Sequence, residues 1–196
     1  MADSTGSNAW RRALRIDIRA QRRALNDDAR SASTTAILRL LRVLPTYRVA
    51  RRIGTFLAFE GEPDLSSLIN RDLTKEFFVP LIRGDEMVFA HMTPTTPCAP
   101  NSFGILEPLE PVLIDPRSLD IVLTPLVAFD DRGVRIGVGR GYYDRCFAFL
   151  RGRDVWHRPK LVGVAYSFQR VPEIEARDWD VPLWAVVTEK GARIFR

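Results

Sequence analysis

The sequence predicts a single α/β domain: a mainly parallel central sheet flanked by helices, with a helical extension at its N-terminus. Three observations carry this. Short apolar runs alternate with helical stretches from residue 52 onward, the pattern of strands joined by crossover helices. The chain's 196 residues, 46% of them hydrophobic, suffice for one sizeable core. No repeat and no linker divides it, so residues 9–196 read as one domain and the small polar residues 1–8 as a disordered start.

Each element has its own signal. From Ala9 to Leu25, Trp10, Leu14, Ile18 and Leu25 fall on one helical stripe. Arg11, Arg15, Arg19 and Arg22 form a stripe beside it, with Arg12 and Arg23 adjacent. Asn26 followed by two aspartates opens a second helix to about Val43, capping free N–H groups and complementing the dipole. After Pro45 come a buried strand, "RIGTFLAF", and a helix opened by Asp64, "DLSSLINRDL". Then come the strands "EFFVPLI" and "MVFAHM". The Pro-rich "TPTTPCAPNSFG" is too irregular for either state and reads as a surface loop. "LDIVLTPLVAFD" is a further apolar run, "YYDRCFAFLR" a helix, and "KLVGVAY" and "WAVVTE" the closing strands.

Composition narrows the function classes. The net charge is +5, and 26 of the 29 cations are arginine, the residue that grips phosphate bidentately; anionic ligands such as nucleotides or nucleic acid therefore enter the field. Two cysteines, Cys98 and Cys146, cannot build a disulfide framework, and with only His91 and His157 besides they argue against a zinc site. All four read as structural or incidental. No apolar run reaches a membrane span of about 20 residues. "MADSTGSNAWRRALR" lacks a signal peptide's apolar core, so a soluble, cytoplasmic protein without a membrane or obligate protein partner is expected.

The densest signal is "DDRGVRIGVGRGYYDR", Asp130 to Arg145. It is not a P-loop, because Gly141 is followed by Tyr142 with neither lysine nor hydroxyl. Nor is it the dinucleotide fingerprint, because Gly137, Gly139 and Gly141 are spaced GxGxG. The physics of those loops still applies. Glycines let backbone N–H groups turn outward into an anion-binding concavity, and a helix starting just after them adds its positive end. Arg135 and Arg140 flank the turn. Asp144 would repel phosphate unless it held a bridging magnesium ion. Tyr142 and Tyr143 offer ring faces and hydroxyls. The competing reading is a glycine-rich hairpin with packed tyrosines and solvated arginines; the combination in register favours a nucleotide site.

At these residues the sequence resembles the 5-formyltetrahydrofolate cyclo-ligase (5,10-methenyltetrahydrofolate synthetase) family. "TPLVAFDDRGVRIGVGRGYYDR" matches its hallmark, and "LRIDIRAQRRAL", "GEPDLSSLI", "FFVPLI", "GILEP" and "DVPLWAVVTE" match further motifs in order. The resemblance implies a fold similar to the sugar-phosphate isomerase and coenzyme A transferase group. It also implies conversion of 5-formyltetrahydrofolate, free or polyglutamylated, to 5,10-methenyltetrahydrofolate with ATP and Mg2+, releasing ADP and phosphate. It further implies that Arg11, Arg15, Arg135, Ile136, Gly137, Val138, Gly139, Arg140, Gly141, Tyr142 and Tyr143 bind ATP. By the same match, Arg15, Leu57, Glu62, Val138, Gly139, Arg140, Gly141 and Tyr142 meet the folate, and Asp144 and Asp180 hold magnesium. Two positions depart: Arg11 stands where lysine is common, and Trp184 where many members carry an acid.

The implied reaction fits a sequence that offers no Ser–His or Cys–His nucleophile pair, since a formamide oxygen attacking the γ-phosphate needs positioning and charge neutralisation. An ion pair at 4 Å is worth ~1 kcal/mol in water but ~4 at an effective dielectric near 20, so arginines folded over a phosphate outweigh arginines on a solvated face. The N-terminal helix is therefore expected to wall the ATP pocket, while Arg12, Arg19, Arg22 and Arg23 stay solvated. Phe103 is a candidate shelter for the folate ring. Two rivals remain: a sugar-phosphate isomerase or acyl transferase on the same fold, and an arginine-rich nucleic-acid-binding module.

Overall fold

The structure, a computed structural model, describes residues 4–101, 104, 106–151 and 158–195. Helix α1 (Ser4–Ala24) begins inside the segment expected to be disordered, which is helical from residue 4. Helix α2 (Asp27–Val43) is capped as its sequence predicts, Asn26 Oδ1 accepting the Ala29 N–H at 2.8 Å. It stops before Pro45, which sits in the first turn of α3 (Pro45–Val49). Strand β1 (Arg52–Gly54) is followed by α4 (Ser66–Arg71), whose first N–H is accepted by Asp64 Oδ1 at 2.9 Å.

Strands β2 (Glu76–Arg83) and β3 (Glu86–Met92) form a hairpin. The Pro-rich segment is more regular than its composition suggests. Within it β4 (Cys98–Pro100) pairs antiparallel with β5 (Leu106–Pro108). Phe103 lies outside the described residues. A two-residue β6 (Leu113–Ile114) precedes β7 (Ile121–Pro125). The apolar run 119–130 is then broken after Pro125, and β8 (Ala128–Phe129) turns back to pair with β9 (Arg135–Ile136). Helix α5 (Tyr142–Cys146) tightens into a 3-10 turn at Ala148–Leu150. Strands β10 (Lys160–Val164), β11 (Ala185–Thr188) and an edge strand β12 (Gly191–Ile194), which the pattern did not suggest, complete the chain.

The main sheet runs β12-β11-β10-β7-β1-β2-β3-β6. Its five central strands, β11, β10, β7, β1 and β2, are parallel; β12, β3 and β6 are antiparallel additions at the edges. Period-two alternation divides the core. Ile121 and Leu123 of β7 face α2, α3 and α4 through Ile37, Leu41, Tyr47 and Leu68. Val122 between them faces Phe89, Leu119 and Phe147. Both faces of the central strands are covered, as a parallel sheet requires.

A third, small cluster matters most for function. Ile18 of α1, 2% exposed, packs on Val127, Ala128, Ile136 and Ile174, fastening the N-terminal helix to the β8–β9 hairpin that carries the glycine segment. Burying one isoleucine contributes about 1.5–3 kcal/mol. The chain passes from β1 to β2 on one side and returns to β7 on the other, so the strand order reverses between β1 and β7. In open α/β sheets ligands bind beyond the carboxyl ends of the strands at such a reversal.

Candidate active site

A cavity of about 550 Å³ opens at that reversal. Phe56 and Leu57 after β1, Pro125 and Leu126 at the end of β7, and Val79 and Pro80 of β2 form its floor. The glycine segment and Tyr142, Tyr143 and Asp144 form one wall, with Arg11, Arg15 and Arg19 of α1 across from them. Every described residue expected at the site lies in this lining except Asp180.

The loop 137–141 is built to present donors. Gly139 and Gly141 hold φ of +105° and +67°, conformations that L side chains rarely adopt. Two arginines tie its carbonyls: Arg15 Nε donates to Gly137 O at 2.9 Å and Arg145 Nη1 to Arg140 O at 2.9 Å. Among the described residues, the N–H groups of residues 137 to 141 donate to no protein acceptor. With the Gly137 and Arg140 carbonyls occupied and its amides open, the loop has the form of an anion-binding concavity. Helix α5 adds little to it, having only five residues.

Arginine positions sort into two kinds. Arg15 lies against Gly139, and its pKa is lowered by burial and by the nearby charges of Arg11, Arg177 and Arg19. Such crowding of like charge marks a site waiting for an anion. Arg135, 7% exposed, is already committed: Nη2 meets Asp144 Oδ1 at 2.8 Å and Nη1 donates to Val181 O. Asp144 Oδ1 also accepts the Val181 N–H at 3.1 Å. Arg140 stands exposed at the rim. The tyrosines are less free than their sequence suggests, for Arg145 covers the Tyr142 ring at 5.1 Å and Tyr143 packs on Phe147 at 6.2 Å. The Tyr143 hydroxyl is buried without a partner among the described residues, and burial, then the Glu62 charge, raises its pKa.

Glu62 lies opposite, at the end of a tight turn in which Glu60 has φ +47°. Its Oε2 accepts the Phe59 N–H at 3.2 Å and its Oε1 faces Arg22 Nη1 at 3.4 Å. Burial raises its pKa, and Arg22 opposes that rise. Asp180 sits beside Val181, its Oδ2 accepting the Arg177 N–H at 3.0 Å and facing Arg11 Nη2 at 3.7 Å. Asp144 thus bonds the residue that follows Asp180.

A donor loop, guanidinium groups and an apolar pocket ending on a carboxylate are the parts expected for a phosphate-bearing ligand beside a heteroaromatic one. The profile of the 5-formyltetrahydrofolate cyclo-ligase family matches residues 7–189. The chain belongs to this family.

The cyclo-ligase of Escherichia coli (strain K12) is 32% identical over 180 residues, which cover 87% of this chain and 96% of that one. The Haemophilus influenzae cyclo-ligase is 34% identical over 149 residues, 71% of this chain and 76% of its own. The solution structure of Aquifex aeolicus 5,10-methenyltetrahydrofolate synthetase superposes with a TM-score of 0.82 at 32% identity, covering 95% of this chain and 93% of that one. The Mycoplasma pneumoniae synthetase, at 24% identity and a TM-score of 0.71, has the same fold.

Features in and beside the cavity of this cyclo-ligase family member were not foreseen from the sequence: Arg19, expected to be solvated, lies in the lining. Arg22, expected to be solvated, is 1% exposed and paired to Glu62. The seven-residue step from Arg15 to Arg22, two helical turns on one face, was the available signal. Arg177 and Trp179 line the cavity mouth from a polar turn that carries no motif. Among the described residues no three His, Cys, Asp or Glu side chains gather into a metal-ligating group. No helix among those residues is long and apolar enough to cross a membrane.

Proposed function

We propose that this protein catalyses the ATP- and magnesium-dependent closure of 5-formyltetrahydrofolate to 5,10-methenyltetrahydrofolate, releasing ADP and phosphate. The observation that carries this reading is the run of open amides in residues 137–141, faced by Arg15 and continuous with an apolar pocket that ends on Glu62. The amides, with Arg11, Arg15 and Arg140, bind the triphosphate. Leu57 and the apolar floor hold the folate, and Glu62 accepts hydrogen bonds from pterin N–H groups.

The formyl oxygen attacks the γ-phosphorus in line and ADP leaves, giving an iminium phosphate. N10 of the same folate then attacks the formyl carbon and gives up its proton to solvent or phosphate; the five-membered ring closes as the C–O bond breaks and phosphate departs. No protein nucleophile takes part. The site contributes alignment and fixed positive charge, which a preorganised, partly dry pocket makes effective.

Asp144 and Asp180 fit a magnesium ion as partial ligands. Each is a hard oxygen donor with one carboxylate oxygen bonded inside the protein and the other, Oδ2 of Asp144 and Oδ1 of Asp180, without a partner among the described residues. Magnesium is commonly held by one or two carboxylates together with substrate phosphates. When bound it would neutralise phosphate charge. The nucleic-acid reading is less well supported, since Arg11 and Arg22 are buried and the exposed arginines of α1 are Arg12 and Arg23.

The experiment is direct. Purified protein is mixed with 5-formyltetrahydrofolate and Mg-ATP, and the near-ultraviolet absorbance of the methenyl product is followed. Turnover requiring both substrates and magnesium is expected. Product formation without ATP, or none under any condition, would overturn the proposal.

A further inference from the structure

Arg22 is the residue of α1 whose burial the substrate-binding reading leaves unused. It does not line the cavity; Glu62 does. Its side chain is 1% exposed, that of Glu62 10%, and their only mutual contact is Arg22 Nη1 to Glu62 Oε1 at 3.4 Å. Nε of Arg22 has no partner among the described residues. As a stabilising device this is a poor one. A buried ion pair must offset the desolvation of two charges, which needs close geometry and satisfied donors, and an apolar pair of similar volume is often no less stable. The pairing makes better sense for what it does to the carboxylate.

The neighbourhood is arranged to hold that carboxylate. The turn 59–62 is pressed onto the end of α1, where a Cβ on Gly61 would lie 3.3 Å from the Arg22 carbonyl oxygen. Arg19 pairs with Glu60 at 3.2 Å, so α1 grips the turn at two points. The Phe59 N–H occupies Oε2 and the Arg22 guanidinium approaches Oε1. The charged and titratable groups facing Glu62 are Arg22 from α1, Glu60 from its own turn and Tyr143 from α5; of these only Arg22 favours the ionised acid.

We infer that Arg22 is a positioning residue that keeps Glu62 ionised and aimed into the cavity, so that the site accepts a ligand presenting a heteroaromatic edge of N–H donors. This rests on the proposed folate role of Glu62. A carboxylate with both oxygens as acceptors receives such an edge, whereas the neutral acid turns an O–H towards it. Removing Arg22 leaves burial and the like charge of Glu60 opposed by the Phe59 N–H alone, so Glu62 protonates at higher pH. Folate binding then fails on the acid side and recovers as pH rises.

The test compares pH profiles of kcat/KM for 5-formyltetrahydrofolate in Arg22→Met, Arg22→Lys and Glu62→Gln. In Arg22→Met the acid limb should move up by about one pH unit, raising KM for folate about tenfold on the acid side and converging towards wild type at alkaline pH. KM for ATP should hardly change. Arg22→Lys, which keeps the charge, should restore most of the acid limb. In Glu62→Gln that limb should vanish, and adding Arg22→Met should cost no further folate affinity.

A pH-independent loss in Arg22→Met, an equal loss for ATP, or losses additive with Glu62→Gln would overturn the assignment. Should Arg22→Met not fold, the wild-type protein carries the test by carboxyl-carbon NMR, with Glu62→Gln identifying the signal. An ionised Glu62 at neutral pH supports the inference and a protonated one ends it. An inactive wild-type enzyme would sink the proposed function instead, so the two failures are distinguishable.

Discussion

Asp144 is asked to do two things, and one substitution separates them. Both of its protein contacts fall on Oδ1: Arg135 Nη2 at 2.8 Å and the Val181 N–H at 3.1 Å. In Asp144→Asn the amide oxygen can take that place and keep both bonds, with the NH2 group where Oδ2 was. What is lost inside the protein is charge assistance on one hydrogen bond. Charged hydrogen bonds contribute about 1.5–3 kcal/mol and neutral ones about 0.5–1.5, so the fold should lose ~1 kcal/mol. For a chain of this size that is a Tm decrease of about 2–4 °C.

The effect on function should be far larger. An amide nitrogen at the Oδ2 position cannot ligate a cation. Counted as two unit charges about 4 Å apart, leaving the ion's second charge to offset desolvation, the lost attraction is ~4 kcal/mol at an effective dielectric near 20, or on the order of a thousandfold at limiting magnesium. The assay is the initial rate of methenyl product across a magnesium titration, with thermal unfolding measured on the same preparation. A variant with wild-type magnesium dependence would refute the ligand role. A loss of 3 kcal/mol or more in stability (about the cost of breaking a buried pair) would show the carboxylate to be chiefly the counter-charge of Arg135.

Other perturbations test the frame around the site. Gly139→Ala forces an alanine into φ +105° with its Cβ 3.4 Å from the Arg15 guanidinium carbon, a strain of about 1–2 kcal/mol. ATP affinity measured by calorimetry should fall several-fold while folate affinity changes less, and equal weakening of both ligands would count against the loop as phosphate receptor. Gly163→Ala places a Cβ 2.7 Å from Leu183 Cδ1 and 2.8 Å from Leu126 Cδ2, so overpacking should cost about 1–3 kcal/mol. An unchanged Tm would mean that the leucines yield freely.

Burial pushes the Cys146 thiol up to about 12. The unfolded chain, with an ordinary thiol near 8.5, ionises first, so this contribution to stability is whole below that pH and is lost as pH climbs towards the folded value. Urea midpoints should therefore fall less steeply above about pH 9 in Cys146→Ala than in wild type, and parallel slopes would exclude the thiol as a source of alkaline lability.

What the sequence made legible was whatever short-range physics decides. Asn26 and Pro45 bound α2 because capping and a missing N–H act within one helical turn. The apolar runs 121–125 and 160–164 became central parallel strands because both faces are covered. The glycine segment declared a turn because positive φ at Gly139 and Gly141 needs residues without a Cβ. Illegible were the features settled by distant partners. The break at Pro125 and the return to β8 depend on β9, ten residues on, and β12 exists because β11 had an open edge to pair.

The arginines of α1 show where that boundary has functional weight. An amphipathic rule sends charge to solvent and leaves Trp10, Leu14, Ile18 and Leu25 as the inner stripe. In the structure Ile18 is the firm anchor of that stripe, Trp10 is 42% exposed, and Arg11 and Arg22 are buried beside Ile18 on the same face. Each buried guanidinium meets a partner far away in sequence: Asp180 and the Glu175 carbonyl for Arg11, Glu62 for Arg22. Helix α1 is therefore held in place partly by the acids of the site, and those acids are held by it. Neutralising Glu62 or Asp180 should loosen the seating of α1, and with it the Arg15 contact that ties the loop carbonyl. On the proposed roles of Glu62 and Asp180, substrate affinity and docking of the N-terminal helix depend on one set of ion pairs and should change together.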